Sequence, residues 1–182
     1  MADIPQNTTY GTVGKASYDL AKTLKAPVQA TQPTQPVQQK TYAPTYNNLG
    51  KQNLGVITTP YGGSTKFEKV HPGVDIAAPK GTEFSMNTLG KDVGNLKIVE
   101  NKSGTTGWGN TILAQDNNGM FYRFSHLNNA YVKVGDVIDS NTILGSIGSS
   151  GSTYSPSGKG DGSHLDWRIF DAAGKYYNPL SN

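Results

Sequence analysis

Apolar and polar residues alternate over short windows along most of this chain, a period that belongs to half-buried β-strands and not to helices. In His164-Leu-Asp-Trp-Arg-Ile-Phe170, Leu165, Trp167 and Ile169 fall on one face, and His164, Asp166 and Arg168 on the other. Val74 and Ile76 alternate with Asp75 in the same way. Windows of this kind predict strands at 55–59, 74–77, 82–86, 96–100, 111–115, 120–125, 142–147 and 164–170. Gly, Asn and Pro punctuate them. Asn117-Asn-Gly119 between two windows predicts a hairpin, because Asn-Gly accepts positive φ at low cost. No long helical pattern separates the strands, so the expected fold is all-β and mainly antiparallel.

The first 50 residues are of a different material. Ala16, Leu20, Ala21 and Leu24 lie at helical spacing and predict one short helix ended near Pro27, too short to be stable unless it docks. From Pro27 to Pro44 the chain is dominated by Gln, Thr and Pro, with little apolar surface to offset the entropy of ordering. The chain therefore divides into an extended or disordered arm and linker over 1–50 and a β domain over 51–182.

Composition agrees. A length of 182 residues suits one domain of ordinary size, and 35% hydrophobic content with 22 Gly and 10 Pro suits many turns. The net charge is +3, and beyond residue 50 Lys plus Arg number 12 against 11 Asp plus Glu. That balance offers no basic groove for nucleic acid. There is no cysteine, which excludes disulfides and thiolate-bound zinc. No apolar run approaches the ~18 residues of a membrane span. Met-Ala-Asp-Ile-Pro-Gln at the start has neither a basic nor an apolar signal region, so no signal peptide of its own is expected.

Only three histidines occur, and each sits in a short polar motif: His71-Pro-Gly-Val-Asp75, Tyr122-Arg-Phe-Ser-His126, and Gly162-Ser-His164-Leu-Asp166. Pro72 disfavours helix at His71, so a turn should carry His71 and the next strand Asp75. An imidazole and a carboxylate brought together this way suit a metal ion, although Asp75 capping a turn beside an exposed histidine has the same sequence. On 164–170 the polar face offers groups two residues apart on a rigid strand, or else a solvated face. His126 ends a strand whose Tyr122 and Phe124 share its side, where a packing role competes with chemistry.

In order along the chain come Pro60-Tyr-Gly-Gly, His71-Pro-Gly-Val-Asp-Ile-Ala-Ala-Pro-Lys-Gly-Thr82, Gly107-Trp-Gly-Asn-Thr111 and Tyr122-Arg-Phe-Ser-His-Leu127. Val132-Lys-Val-Gly-Asp136, Ile143-Leu-Gly-Ser-Ile-Gly148, Gly162-Ser-His-Leu-Asp-Trp167 and Asn178-Pro-Leu180 follow. This series, from about Thr59 to Leu180, resembles the lysostaphin-type zinc endopeptidases of metallopeptidase family 23. The resemblance implies that family's β fold, a duplicated hybrid motif, and one zinc ion hydrolysing peptide bonds of bacterial peptidoglycan. It implies His71 and Asp75 as metal ligands, and His126 and His164 as catalytic histidines outside the metal shell. The third ligand of the family is a histidine, and Asp166 stands in its place; Arg168 stands where an acidic residue is common.

Asp166 admits two readings. Carboxylate oxygen is a legitimate zinc ligand, and a His71/Asp75/Asp166 shell would hold zinc with a weaker pull on water and tolerate Mn²⁺ or Mg²⁺. Alternatively Asp166 and Arg168, two apart on one face, form an ion pair in a catalytically inactive domain with a structural or wall-binding role. A third class, a lipoyl- or biotinyl-type carrier, is suggested by Val132-Lys-Val-Gly-Asp-Val137 and Ile143-Leu-Gly, but no lysine stands at a Met-flanked hairpin tip. The Gly-rich segment 148–162 is either a surface loop or a flap, with Tyr154 and Lys159, together with Arg168, as candidate substrate contacts. Without a signal peptide or a wall-binding repeat, delivery by an assembly is expected: a bacteriophage virion or tail component whose arm anchors to neighbouring subunits and whose β domain meets the cell wall.

Overall fold

The computed structural model describes residues 54–155 and 160–181. The residues expected to form an arm and a short helix, and Lys159, lie outside the described residues. Eleven strands and no helix make up the described part: β1 (Val56–Thr59), β2 (Val74–Ala77), β3 (Glu83–Phe84), β4 (Leu96–Lys102), β5 (Thr111–Asp116), β6 (Phe121–Ser125), β7 (Leu127–Ala130), β8 (Val137–Ile138), β9 (Gly145–Ile147), β10 (His164–Phe170) and β11 (Tyr176–Tyr177). The all-β, antiparallel expectation holds. The predicted windows at 82–86 and 142–147 shrink to β3 and β9. The pattern missed β7, β8 and β11, which at two to four residues are too short to show alternation.

One sheet runs β1-β2-β10-β6-β5-β4-β8, with β11 beside β10, and a smaller one runs β3-β9-β7. Every pairing is antiparallel. The main core lies where the two sheets face each other. Val74, Ile76, Ile112, Phe124, Leu165 and Trp167 of the large sheet join Phe84, Leu127 and Ile147 of the small one in a single buried cluster. Phe84 and Phe124 bring their ring centroids within 5.3 Å across the gap. Each such side chain contributes roughly 1.5–3 kcal/mol by leaving water, enough to fix the register of β2 and β10, since a one-residue slip would turn Trp167 outward.

That register decides what lies on the opposite face. Trp167 pairs with Val74 and Phe124, so Asp166 pairs with Asp75 on one side and Ser125 on the other. Arg168 pairs with Arg123. Farther along this face Leu113, Phe121 and Phe170 form a second apolar cluster with Val99 and Tyr176. Polar residues of β2, β6 and β10 are thus gathered at one end of an otherwise apolar surface.

The hairpin at Asn117-Asn-Gly119 forms with a different turn from the simplest Asn-Gly one. Only Gly119 has positive φ (82°), and its N–H donates to Asp116 O. The Asp116 carboxylate accepts from the Asn118 and Met120 amides and from the Tyr122 hydroxyl, so an acid at the strand end closes the loop.

Candidate active site

His71 is carried by the turn before β2. Its motif glycine has a specific reason to be there: a Cβ on Gly73 would lie 2.6 Å from both Arg168 Cγ and Trp167 O. Only glycine lets the turn close down on β10, and this closure sets His71 over the polar face. Asp75 then comes from β2, and Asp166 from β10, directly opposite it.

His126 arrives by another route. The expectation that it shares a side with Tyr122 and Phe124 is corrected by the backbone: β6 ends at Ser125, and His126 adopts φ 63°, a left-handed conformation found at no other described non-glycine residue. Its amide donates to Trp108 O at 2.9 Å. The turn of the chain takes the ring out of the Phe124 side and sets it beside His164, with centroids 4.6 Å apart and the rings tilted by 46°.

All three imidazoles are held by the same nitrogen. His71 Nδ1 lies 2.9 Å from Glu68 Oε2, His126 Nδ1 2.8 Å from Ser150 O, and His164 Nδ1 2.7 Å from Gly162 O. These oxygens accept, so each Nδ1 carries the proton and each Nε2 is left for other work. His71 Nε2 sits 3.1 Å from Asp75 Oδ1 and 3.8 Å from Asp166 Oδ1, and His164 Nε2 sits 3.9 Å from Asp75 Oδ1.

The donor set fits a divalent cation. His71 Nε2, Asp75 Oδ1 and an Asp166 oxygen lie within 4.8 Å of one another, all on buried residues. His71 Nε2 and Asp75 Oδ1 are buried without a hydrogen-bond partner. Two carboxylates directly opposite across a strand pair repel, and buried charges of one sign call for a counter-ion. Burial alone would lower the His71 pKa, but the Asp75 carboxylate 3.1 Å from Nε2, the hydrogen bond to Glu68 and the charge of Asp166 outweigh it and raise it to about 9. A proton on Nε2 is therefore the natural occupant that a metal ion would displace. Burial lowers His126 below the ordinary histidine value, against the pull of Asp166, which keeps its ring neutral.

Asp166 both lies in this group and is ion-paired with Arg168. Arg168 Nε donates to the two Asp166 oxygens at 2.9 and 3.0 Å, and Nη2 to Oδ2 at 2.7 Å. Nη1 and Nη2 donate to the two Glu68 oxygens at 3.0 Å each. Burial would raise the Asp166 pKa, but Arg168 holds it well below the usual carboxylate range. Arg168 is buried, donates to these two acids, and still lines the cleft.

The group lies in a cleft of about 910 Å³. One wall is the segment carrying Lys66 and Glu68, and the other includes Tyr154 and Asp161. Lys66 Nζ lies 4.6 Å from the centre of the Tyr154 ring, bridging the walls. The described part of the 148–162 segment is no loose loop: Ser150 Oγ donates to Leu127 O and accepts from the Asn110 amide, and the Ser152 amide donates to Gly107 O. Sequence reasoning missed Glu68, Trp108, Ser150 and Tyr176. Of these Glu68, three residues before His71, and Trp108, in the Gly107-Trp-Gly-Asn-Thr111 segment, carried a signal.

Residues 69–179 match peptidase family M23. No protein with a curated description matches. Among solved structures, a point mutant of the catalytic domain of the prophage-encoded M23 protein EnpA from Enterococcus faecalis superposes with TM-score 0.56 at 22% identity, over 76% of this chain and 95% of that one. A zinc-containing peptidase from Vibrio cholerae gives 0.56 at 17% identity, over 70% of this chain and 36% of that one. The catalytic domain of the antimicrobial peptidase lysostaphin from Staphylococcus simulans gives 0.50 at 28% identity, over 69% and 87%. The fold is that of the lysostaphin-type peptidases. The chain belongs to peptidase family M23.

Proposed function

We propose that this chain is a zinc-dependent endopeptidase that hydrolyses peptide bonds of bacterial peptidoglycan. The observation that carries the reading is that His71 Nε2 and Asp75 Oδ1, buried 3.1 Å apart without a hydrogen bond, lie beside an Asp166 oxygen in an open cleft. Family membership and the 28% identity to the catalytic domain of an antimicrobial peptidase support the substrate class.

His71, Asp75 and Asp166 would hold the ion. When bound, it supplies the charge that polarises a scissile carbonyl and acidifies a water. The remaining chemistry belongs to the chain. His126, neutral and with its proton fixed on Nδ1 by Ser150 O, offers Nε2 as a proton acceptor within the cleft. His164, held by Gly162 O, presents Nε2 on the same side and can donate to or orient the reacting oxygen once it has taken a proton. Trp108, stacked 3.9 Å over the Arg123 guanidinium, closes one end of the cleft floor.

Purified protein should contain about one equivalent of zinc and release soluble peptides from cross-linked cell wall. His71→Ala or Asp75→Ala should abolish both. Unchanged metal content in both variants would refute the site. A second reading is favoured by one observation: both Asp166 oxygens already accept from Arg168. On that reading the domain binds cell wall without cutting it, and wild-type protein would sediment with wall fragments while releasing nothing. In either case delivery as a virion or tail component, with residues 1–50 as the anchor, suits a chain whose arm is so poor in apolar surface.

A further inference from the structure

Asp75, Asp166, Glu68 and Arg168 bring three carboxylates and one guanidinium together behind a single imidazole. With neutral His71 this leaves two negative charges, the number a divalent cation neutralises. The groups are also wired in a closed path. From His71 Nδ1 the bonds run to Glu68, from Glu68 to Arg168, and from Arg168 to Asp166, whose Oδ1 returns to within 3.8 Å of His71 Nε2. Two of the three ligands are therefore connected by side chains that do not themselves face the ion.

We propose that Arg168 and Glu68 are positioning residues that make Asp166 a working substitute for a neutral ligand, so that Asp166, Arg168 and Glu68 form one functional unit. The inference rests on the metal site proposed above. Arg168 grips Asp166 with a rigid fork, two bonds on Oδ2 and one on Oδ1, which keeps a second lone pair on the His71 side, and offsets the carboxylate's charge. Glu68 holds the far side of that fork and, with its other bond, keeps the His71 proton on Nδ1. Partners of this kind orient metal ligands, and their loss costs 10–100-fold in affinity.

The unit predicts a coupling that a lone carboxylate ligand would not show. Replacing Asp166 by histidine removes three of the five hydrogen bonds of Arg168 and leaves a buried guanidinium beside an incoming cation. Asp166→His alone should therefore weaken zinc binding. Removing the stranded charge as well, in Asp166→His with Arg168→Met, should recover at least about tenfold over the single variant.

Zinc affinity of the full chain is read by competition with a chromophoric chelator, and ligand geometry by the visible spectrum of the Co²⁺ form. In the expected outcome Arg168→Met and Glu68→Gln each bind zinc about 10–100-fold more weakly than wild type. Arg168→Lys, which keeps the charge without the fork, does not restore the wild-type Co²⁺ spectrum. Circular dichroism shows which variants are folded, and Glu68→Gln, isosteric and half-buried, decides the matter if Arg168→Met is not. Wild-type protein that binds no zinc would overturn the metal site itself. A wild type that binds while folded Arg168→Met or Glu68→Gln binds as tightly or more tightly would overturn the positioning role alone. Asp166→His binding more tightly than wild type would also overturn it.

Discussion

The left-handed backbone at His126 can be tested without reference to metal or substrate. His126→Gly and His126→Ala both delete the ring, the Nδ1 bond to Ser150 O and the contact with His164, so those losses cancel when the two variants are compared. What differs is one Cβ at φ 63°. A Cβ in this region costs roughly 1–2 kcal/mol, while alanine ordinarily gains about 0.4–1 kcal/mol over glycine by restricting the unfolded chain. The difference leaves His126→Gly more stable than His126→Ala by about 1 kcal/mol. For a domain of this size that is a melting-point gap of roughly 3–5 °C. Thermal melts followed by circular dichroism, with urea unfolding as a check, measure it. Ser125, in the preceding strand, is the control: there the order should reverse, with Ser125→Ala above Ser125→Gly. If His126→Ala melts at or above His126→Gly, the residue is not left-handed in solution, and the account of how its ring reaches His164 fails.

Metal-stripped protein should lose stability with rising pH. His71 has a folded pKa of about 9, raised above the ordinary 6.5, so its contribution is complete below about pH 6.5 and lost by about pH 9.5. The loss is on the order of 3 kcal/mol; urea unfolding in chelator that shows stability flat or rising across this window would refute the charged His71–Asp75 pair. Deleting residues 1–48 should leave a soluble domain that melts cooperatively, because this Gln-, Thr- and Pro-rich stretch holds few large apolar side chains. A truncated chain without a cooperative melt by circular dichroism would show that residues 1–48 complete the core, and one that still co-sediments with the proposed virion or tail would remove the proposed anchoring role.

The fold was legible because its long strands face two environments. Leu165, Trp167 and Ile169 are buried on the core side, and strict alternation on β10 declares this in the sequence. The other face was harder to read. Asp166 and Arg168 are polar by pattern, and pattern alone suggests solvent, yet both are buried. They are tolerated there because each carries the other's charge and Glu68 completes the set. Glu68 lies 100 residues away in the chain, and no local period connects it to β10.

His126 shows the same limit at the level of one dihedral angle. Strand alternation put it beside Phe124, and a single left-handed residue, which propensity would assign to glycine or asparagine, sends it to the opposite side. Strain of about 1–3 kcal/mol at one residue persists only where the surroundings over-determine it, and here they do. The His126 amide is taken by Trp108 O, its ring by Ser150 O, and the Leu127 amide by Asn110 O. The motifs named the groups and the register brought them together. Their protonation and direction were decided by local neighbours such as Gly162 and Arg168, and by contacts such as Ser150 to His126 and Glu68 to Arg168 that no local pattern reveals.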